Sequence, residues 1–205
     1  MRLKSTVIIA IVVSLFFAIK KHRALKIDQQ HQHIVLSSYN FKDEPEQLNT
    51  DAQSFAFKNY TITPLASFLI RARILSHENY YFDDGAALAP VDLALGWKRM
   101  AEPTIYESLH ISQRGRWYRY YWNQQPPIAV NEIVESSANM HLIPANPSVE
   151  NILGQAKTGN VIKIKGLLVE ASKINGWKWR SSLSRTDSGD GACELVFVEA
   201  AEIED

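Results

Sequence analysis

The chain's one cysteine, Cys193, lies near the end of the polar stretch RSSLSRTDSGDGACE, which runs from Arg180 to Glu194 between two apolar runs. A cysteine nucleophile needs a thiolate and a base within hydrogen-bond reach, and the fold rather than sequence spacing brings the partners together. His141, in the ordered-looking run NMHLIP, is the first choice of base and His110 the second. Arg185 or Arg180 would then hold an oxyanion or lower the thiol pKa. Cys193, His141 and Arg185 are thus the candidate catalytic set of a membrane-anchored Cys/His hydrolase or transpeptidase. The competing reading makes Cys193 a small apolar side chain that opens a buried strand.

Other chemistries fit the same stretch less well. Counted from Asp187, an EF-hand loop would need oxygen ligands at its third and fifth positions and glutamate at its twelfth. Gly189, Gly191 and Val198 stand there instead. A looser calcium site through Asp187 and Asp190 is left, against a plain Gly/Asp turn. No GxSxG elbow supports a serine hydrolase. Sortase-type transpeptidases, which are anchored β-barrels, carry His, Cys and Arg in that order, yet no arginine or lysine follows Cys193. Asp83 and Asp84 are adjacent on a turn, where carboxylates normally point apart. His31 and His33 lie in a polar segment with no third ligand nearby, so no metal centre and no cofactor are implied.

The run RGRWYRYYW offers a different chemistry. Read as one strand, it puts Trp117, Arg119 and Tyr121 on one side and Tyr118, Tyr120 and Trp122 on the other. With Arg116, the first set makes a candidate ligand-binding patch of stacking rings and cations, suited to sugars, bases or lipid headgroups. Alternating aromatics also build an ordinary two-sided sheet.

Charge narrows the choice. Of 22 basic residues, six precede Asp28, the first acidic one, leaving 16 basic against 22 acidic side chains and a net charge of −6. That balance argues against nucleic acid as the partner. Thr6 to Ile19 carries no charge and is flanked by Arg2, Lys4, Lys20, Lys21, Arg23 and Lys26. A helix of this run with its flanks can reach across a bilayer with its lysines snorkelling, and no A-x-A site precedes the basic cluster, so residues 3–22 read as an uncleaved anchor in the lipid bilayer. A short basic tail before the anchor favours a periplasmic over a cytoplasmic domain, although the flanking charges are nearly balanced.

Beyond the anchor (1–26), residues 27–56 read as a polar spacer and 57–205 as one globular domain. NYTITPLASFLIRARILSHENYYF reads as one long strand or two broken at Pro64, and APVDLALGWKRM as a short helix with Pro90 in its first turn. Helical turns are expected in PTIYESL, in NEIVESSA with Asn131 as cap, and in NPSVENILGQAK capped by Asn146 or Ser148. VIKIKGLLVEA reads as a long strand bent at Gly166, Asn175-Gly176 as a hairpin turn, WKWRSS as its return strand and CELVFVEA as the last strand. The fold class is therefore α+β: an N-terminal transmembrane helix, then a mainly antiparallel sheet or small barrel with short helices.

The runs PVDLALGWKRM, SANMHLIPA and SSLSRTDSGDGACELVFVE resemble a group of uncharacterised bacterial membrane proteins, each with one N-terminal helix and a domain of this length. The resemblance covers the anchor and the chain from Tyr60 onward and implies a bacterial inner-membrane location. It brings no activity or site residues. The leading expectation is a single-pass protein with a non-catalytic domain that binds a protein or an envelope polymer.

Overall fold

The computed structural model describes every residue except 1, 84, 188, 190 and 205, and no side chains for 2–10 and 12. The chain opens with α1 (Arg2–Ser37), followed by β1 (Glu46–Leu48), β2 (Phe55–Phe57) and the long β3 (Tyr60–Asn79). Next come β4 (Val91–Gly96), a 3₁₀ turn (Lys98–Ala101), α2 (Pro103–Tyr106), β5 (His110–Arg114) and β6 (Trp117–Tyr121). The second half runs α3 (Val130–Glu135), β7 (Ser137–Pro144), α4 (Pro147–Gly154), β8 (Val161–Ser172), β9 (Lys178–Arg180) and β10 (Glu194–Glu204). It is an α+β fold with a mainly antiparallel sheet.

Five of the strands close on themselves. β3 pairs β4, β4 pairs β7, β7 runs parallel to β10, β10 pairs β8, and β8 returns to β3. Taken in chain order the ring reads 1-2-3-5-4 and back to 1, with α4 between the third and fourth strands. This is the five-stranded Greek-key arrangement of OB barrels, whose ligands bind on the face of strands 2 and 3 and on the loops joining strands 1–2 and 4–5. Phe68, Ile70, Ala72 and Ile74 of β3 meet Leu93, Leu95, Met140, Leu142, Ile164, Leu168, Val196 and Val198 inside. The period of two along each strand delivers these side chains to one face.

Three local readings change. β4 is a strand where a helix was expected: all six of its residues are buried, so both faces carry apolar groups and the alternation that marks a strand is lost. HISQRGRWYRYYW is a hairpin and not one strand. It turns at Gly115 and Arg116, both with positive φ (59° and 70°), the signature of a type I′ turn. Residues 27–56 contain the end of α1 and two edge strands where a spacer was expected. Gln32 and Leu36 are buried on the barrel, and the Gln32 side-chain oxygen accepts the Ala201 N–H.

Other expectations meet their elements. β3 is one strand, continuing past Pro64 through a bulge. Asn146 caps α4 by accepting the Val149 N–H at 3.0 Å, whereas α3 begins after Ala129 with no side-chain cap. Among the described residues, no helix is long and apolar enough to cross a membrane. The anchor expected at 3–22 lies partly outside the described side chains. Within it Ile11, Leu15, Phe16, Phe17 and Ile19 are exposed.

Gly166 is required by a close approach. Ile162, Ile164 and Leu168 share the interior with it, so no bend is needed to align them. A Cβ at Gly166 would sit 2.2 Å from the Phe197 carbonyl oxygen, beside the β10 irregularity between Val198 and Ala200. Gly166→Ala is therefore expected to cost about 3 kcal/mol, the upper range of overpacking penalties, read from urea unfolding. A loss below about 0.5 kcal/mol, the scale of a surface substitution, would contradict this contact.

Candidate functional site

The site grows from one cross-strand pair. Asp92 of β4 stands opposite His141 of β7 on the outer face of the barrel, and Asp92 is wholly buried. A carboxylate removed from water must be paired or neutralised. Arg116 supplies the pair: its Nη1 donates to Asp92 Oδ1 at 2.6 Å and to the Ala89 carbonyl at 2.9 Å. Its Nε and Nη2 donate to Asp83 Oδ2 and Oδ1 at 3.0 and 2.9 Å, a two-pronged grip from the β3–β4 loop. The guanidinium lies 3.7 Å from the centre of the Tyr80 ring, and the Tyr80 hydroxyl accepts the Arg116 backbone N–H. Burial pushes the Asp83 carboxyl up, but the Arg116 hydrogen bonds and charge bring it to a net value below the ordinary one. The left-handed backbone at Arg116 is thus held by ties to four other residues, Asp83, Asp92, Ala89 and Tyr80.

His141 is set against the same carboxylate. Its Nδ1 lies 2.9 Å from Asp92 Oδ2, off the line a hydrogen bond needs, and neither atom has a hydrogen-bond partner among the described residues. The imidazole rests against Trp179 of β9, ring centres 4.7 Å apart. Trp179 in turn occupies the space where a side chain at Gly85 would be, 2.6 Å from its Cβ position.

These groups border an open cleft of about 640 Å³. Trp117, Trp177 and Trp179 line it together with His141, Lys178 and Arg180. Arg180 and Lys178 both lean on Glu170, at 3.0 and 3.6 Å, which holds the Glu170 carboxyl below its ordinary value, the Arg180 hydrogen bond being the main cause. The cleft lies on the β4–β7 face and between the β3–β4 and β8–β10 connections, where OB barrels take their ligands.

Of the residues singled out from sequence, Cys193 and His141 both reach this cleft, and Arg185 does not. Among the described residues, no hydrogen bond joins Cys193 to His141. The Cys193 sulfur is 3.8 Å from Asn139 Nδ2 and 4.0 Å from the Arg116 carbonyl oxygen. Burial pushes the thiol up to about 11 against the lowering effect of Asn139, so it is protonated at neutral pH. Arg116 and Trp117 stand at the cleft, but Arg116 is spent on Asp83 and Asp92. Arg119 and Tyr121 lie farther along the exposed side of β6, Arg119 beside the Trp117 ring and Tyr121 stacked on His110. Asp187 accepts a hydrogen bond from the Ser182 hydroxyl at 2.5 Å, while Asp84 and Asp190 lie outside the described residues. His33 pairs with Glu202. Among the described residues, no group of three or more histidines, cysteines and carboxylates could hold a metal ion.

Sequence reading missed Asp92, Asn139, Trp177, Trp179 and Glu194. The usable signal was a charge inside an apolar run, as in VDLALG and CELVFV. Glu194 is 1% exposed; Arg185 donates to its Oε1 and to Gln47 Oε1 at 2.7 Å, and stacks over Phe68. Its other oxygen, Oε2, has no partner among the described residues. Burial, opposed by Arg185, pushes the Glu194 carboxyl up to about 7.

Comparison with known protein families, characterised proteins and solved structures finds no match for this chain.

Two stability measurements test these contacts. Arg116→Leu leaves Asp92 buried without its cation and is expected to cost about 3–5 kcal/mol; adding Asp92→Asn should recover part of that loss. For Glu194, the folded chain keeps a proton up to about pH 7 that the unfolded chain releases near 4.5. Stability from this group is therefore full below about pH 4.5 and declines, by an amount on the order of 3 kcal/mol, as pH rises to 7. Denaturant unfolding across that window should show a flatter profile for Glu194→Gln, and an unchanged slope would refute the assignment.

Proposed function

We propose that this chain is a membrane-tethered, non-catalytic binding protein whose barrel face takes a saccharide polymer of the bacterial envelope, with the domain on the periplasmic side. The observation that carries the reading is the cleft on the β4–β7 face, walled by Trp117, Trp177 and Trp179 beside Lys178, Arg180 and His141. Indole faces pack against the apolar faces of sugar rings, and the flanking donors fit hydroxyl and carboxylate groups. OB barrels bind oligosaccharides and oligonucleotides at this position, and the net charge of −6 beyond Lys26 disfavours the latter. The tether is residues 3–22, whose uncharged stretch and exposed Phe16, Phe17 and Ile19 suit lipid.

The alternative, a Cys193–His141 hydrolase or transpeptidase assisted by Arg185, needs a thiolate next to its base. The buried thiol bonded to Asn139 and the separate position of Arg185 favour the binding reading. Titration of envelope oligosaccharides into the full-length chain decides between them. Trp179→Ala should weaken binding at least about tenfold, a loss within the range of a buried aromatic anchor, and Cys193→Ala should bind as the wild type does without any turnover in either. Undiminished binding by Trp179→Ala, or cleavage that vanishes in Cys193→Ala, would sink the proposal.

A further inference from the structure

Next to the cleft, at the mouth of the barrel, lies a smaller chamber of about 170 Å³. Trp97, Trp117, Tyr118 and Tyr120 line it, with Glu194 and Arg185 opposite. Trp117, Gly189 and Cys193 border both spaces, so the chamber continues from the cleft. A cavity of about 150 Å³ accommodates benzene, which sets the scale here: the chamber takes a substituent or one edge of a ring, not a chain of sugars.

We propose that the chamber receives an ammonium group, and that the saccharide of the cleft is therefore an amino sugar with its amine free. The inference rests on the saccharide reading above. Its first support is Glu194 Oε2, which has no partner among the described residues, on a side chain 1% exposed that lines the chamber. A buried carboxyl oxygen without a partner is costly, and an ammonium group supplies three N–H donors together with a positive charge that favours the ionised carboxylate. Arg185 donates to Glu194 Oε1, Gln47 Oε1 and the Ser184 carbonyl, and none of these bonds reaches Oε2.

The second support is the sign of the surroundings. Among the described residues, two carboxylic side chains, Glu194 and Asp187, line the chamber against one guanidinium, Arg185. The aromatic lining adds ring faces that attract cations, and burial keeps Tyr118 and Tyr120 in the neutral phenol form. An anionic substituent would meet Glu194 and Asp187, and an apolar one would leave Oε2 orphaned. An N-acetyl group removes the charge, adds a carbonyl acceptor and leaves a single N–H.

The test compares a β-1,4 glucosamine tetramer with its fully N-acetylated counterpart, titrated calorimetrically into the full-length chain in nanodiscs at physiological salt. The free-amine tetramer is expected to bind about tenfold tighter, equivalent to 1.4 kcal/mol. Glu194→Gln should bring the two affinities to within about twofold, and Trp179→Ala should weaken both tetramers alike. Tyr120→Leu, at the half-buried wall, is a second variant independent of the carboxylate and should lower the preference severalfold. Equal affinities in the wild type, or a preference that survives Glu194→Gln, would overturn the amino-sugar inference and leave the saccharide reading standing. Failure of both tetramers to bind would overturn both readings.

Discussion

A carboxylate with no solvent contact sits in the second strand of the barrel, and much of the surrounding architecture follows from keeping Asp92 in company. Left alone there, it would cost several kcal/mol or lose its charge. Arg116 reaches it only because the β5–β6 hairpin folds back over the β4–β7 face through a two-residue turn whose second residue has left-handed backbone. The same guanidinium then fixes the β3–β4 loop through Asp83 and Ala89, and rests on Tyr80 at the end of the preceding strand. One buried charge thereby couples an insertion, a loop and two barrel strands. Asp83 turns the loop further by accepting the Gly85 N–H, and Gly85 leaves the gap that Trp179 fills. The aromatic wall of the cleft is thus set, at two removes, by the ion pair beneath it.

The placement of α1 fits the same frame. α1 docks where Gln32 meets Ala201 and His33 meets Glu202, near the C-terminal end of β10, while Glu194 begins that strand beside the chamber. Eight residues of extended chain separate Glu194 from Glu202, roughly 25 Å at the rise of a strand. The α1 contact and the chamber therefore occupy opposite ends of one strand. Ile152 and Leu153 of α4 are buried in the barrel core, and an open cleft of about 900 Å³ lies between α4, α1 and the end of β10.

The barrel was legible where local chemistry is strong. The Asn146 cap, the hairpin turn at Asn175 and Gly176, and the alternation of β3 each follow from rules acting over a few residues. The site was legible only in part. His141, Cys193, Arg116 and Trp117 could be picked by residue type, but their partners could not: Asp92 lies 49 residues from His141 in sequence, and only the ring closure makes them neighbours. β4 was misread for the same reason its centre matters. A strand covered on both faces loses its period, and short apolar runs do not discriminate helix from strand. The spacer was misread because a polar composition over residues 27–56 concealed two inward positions, Gln32 and Leu36, one helical turn apart.

The stretch from Arg180 to Glu194 shows how reactive residue types can be consumed by the architecture. The Ser181 hydroxyl accepts the Leu195 N–H, the Ser182 N–H reaches the Cys193 carbonyl, and the Ser182 hydroxyl donates to Asp187. These bonds supply partners to backbone groups that a long connection would otherwise leave unpaired. Gly189 and Gly191 both take left-handed φ, near 86° and 84°, which glycine adopts without strain. Cys193 is then delivered to the partition between cleft and chamber, with its sulfur facing the Asn139 amide and the Arg116 carbonyl. His141, two residues on from Asn139 on the same face of β7, is turned to Asp92 and Trp179. Thiol and imidazole thus share a cleft while each is committed to a different neighbour.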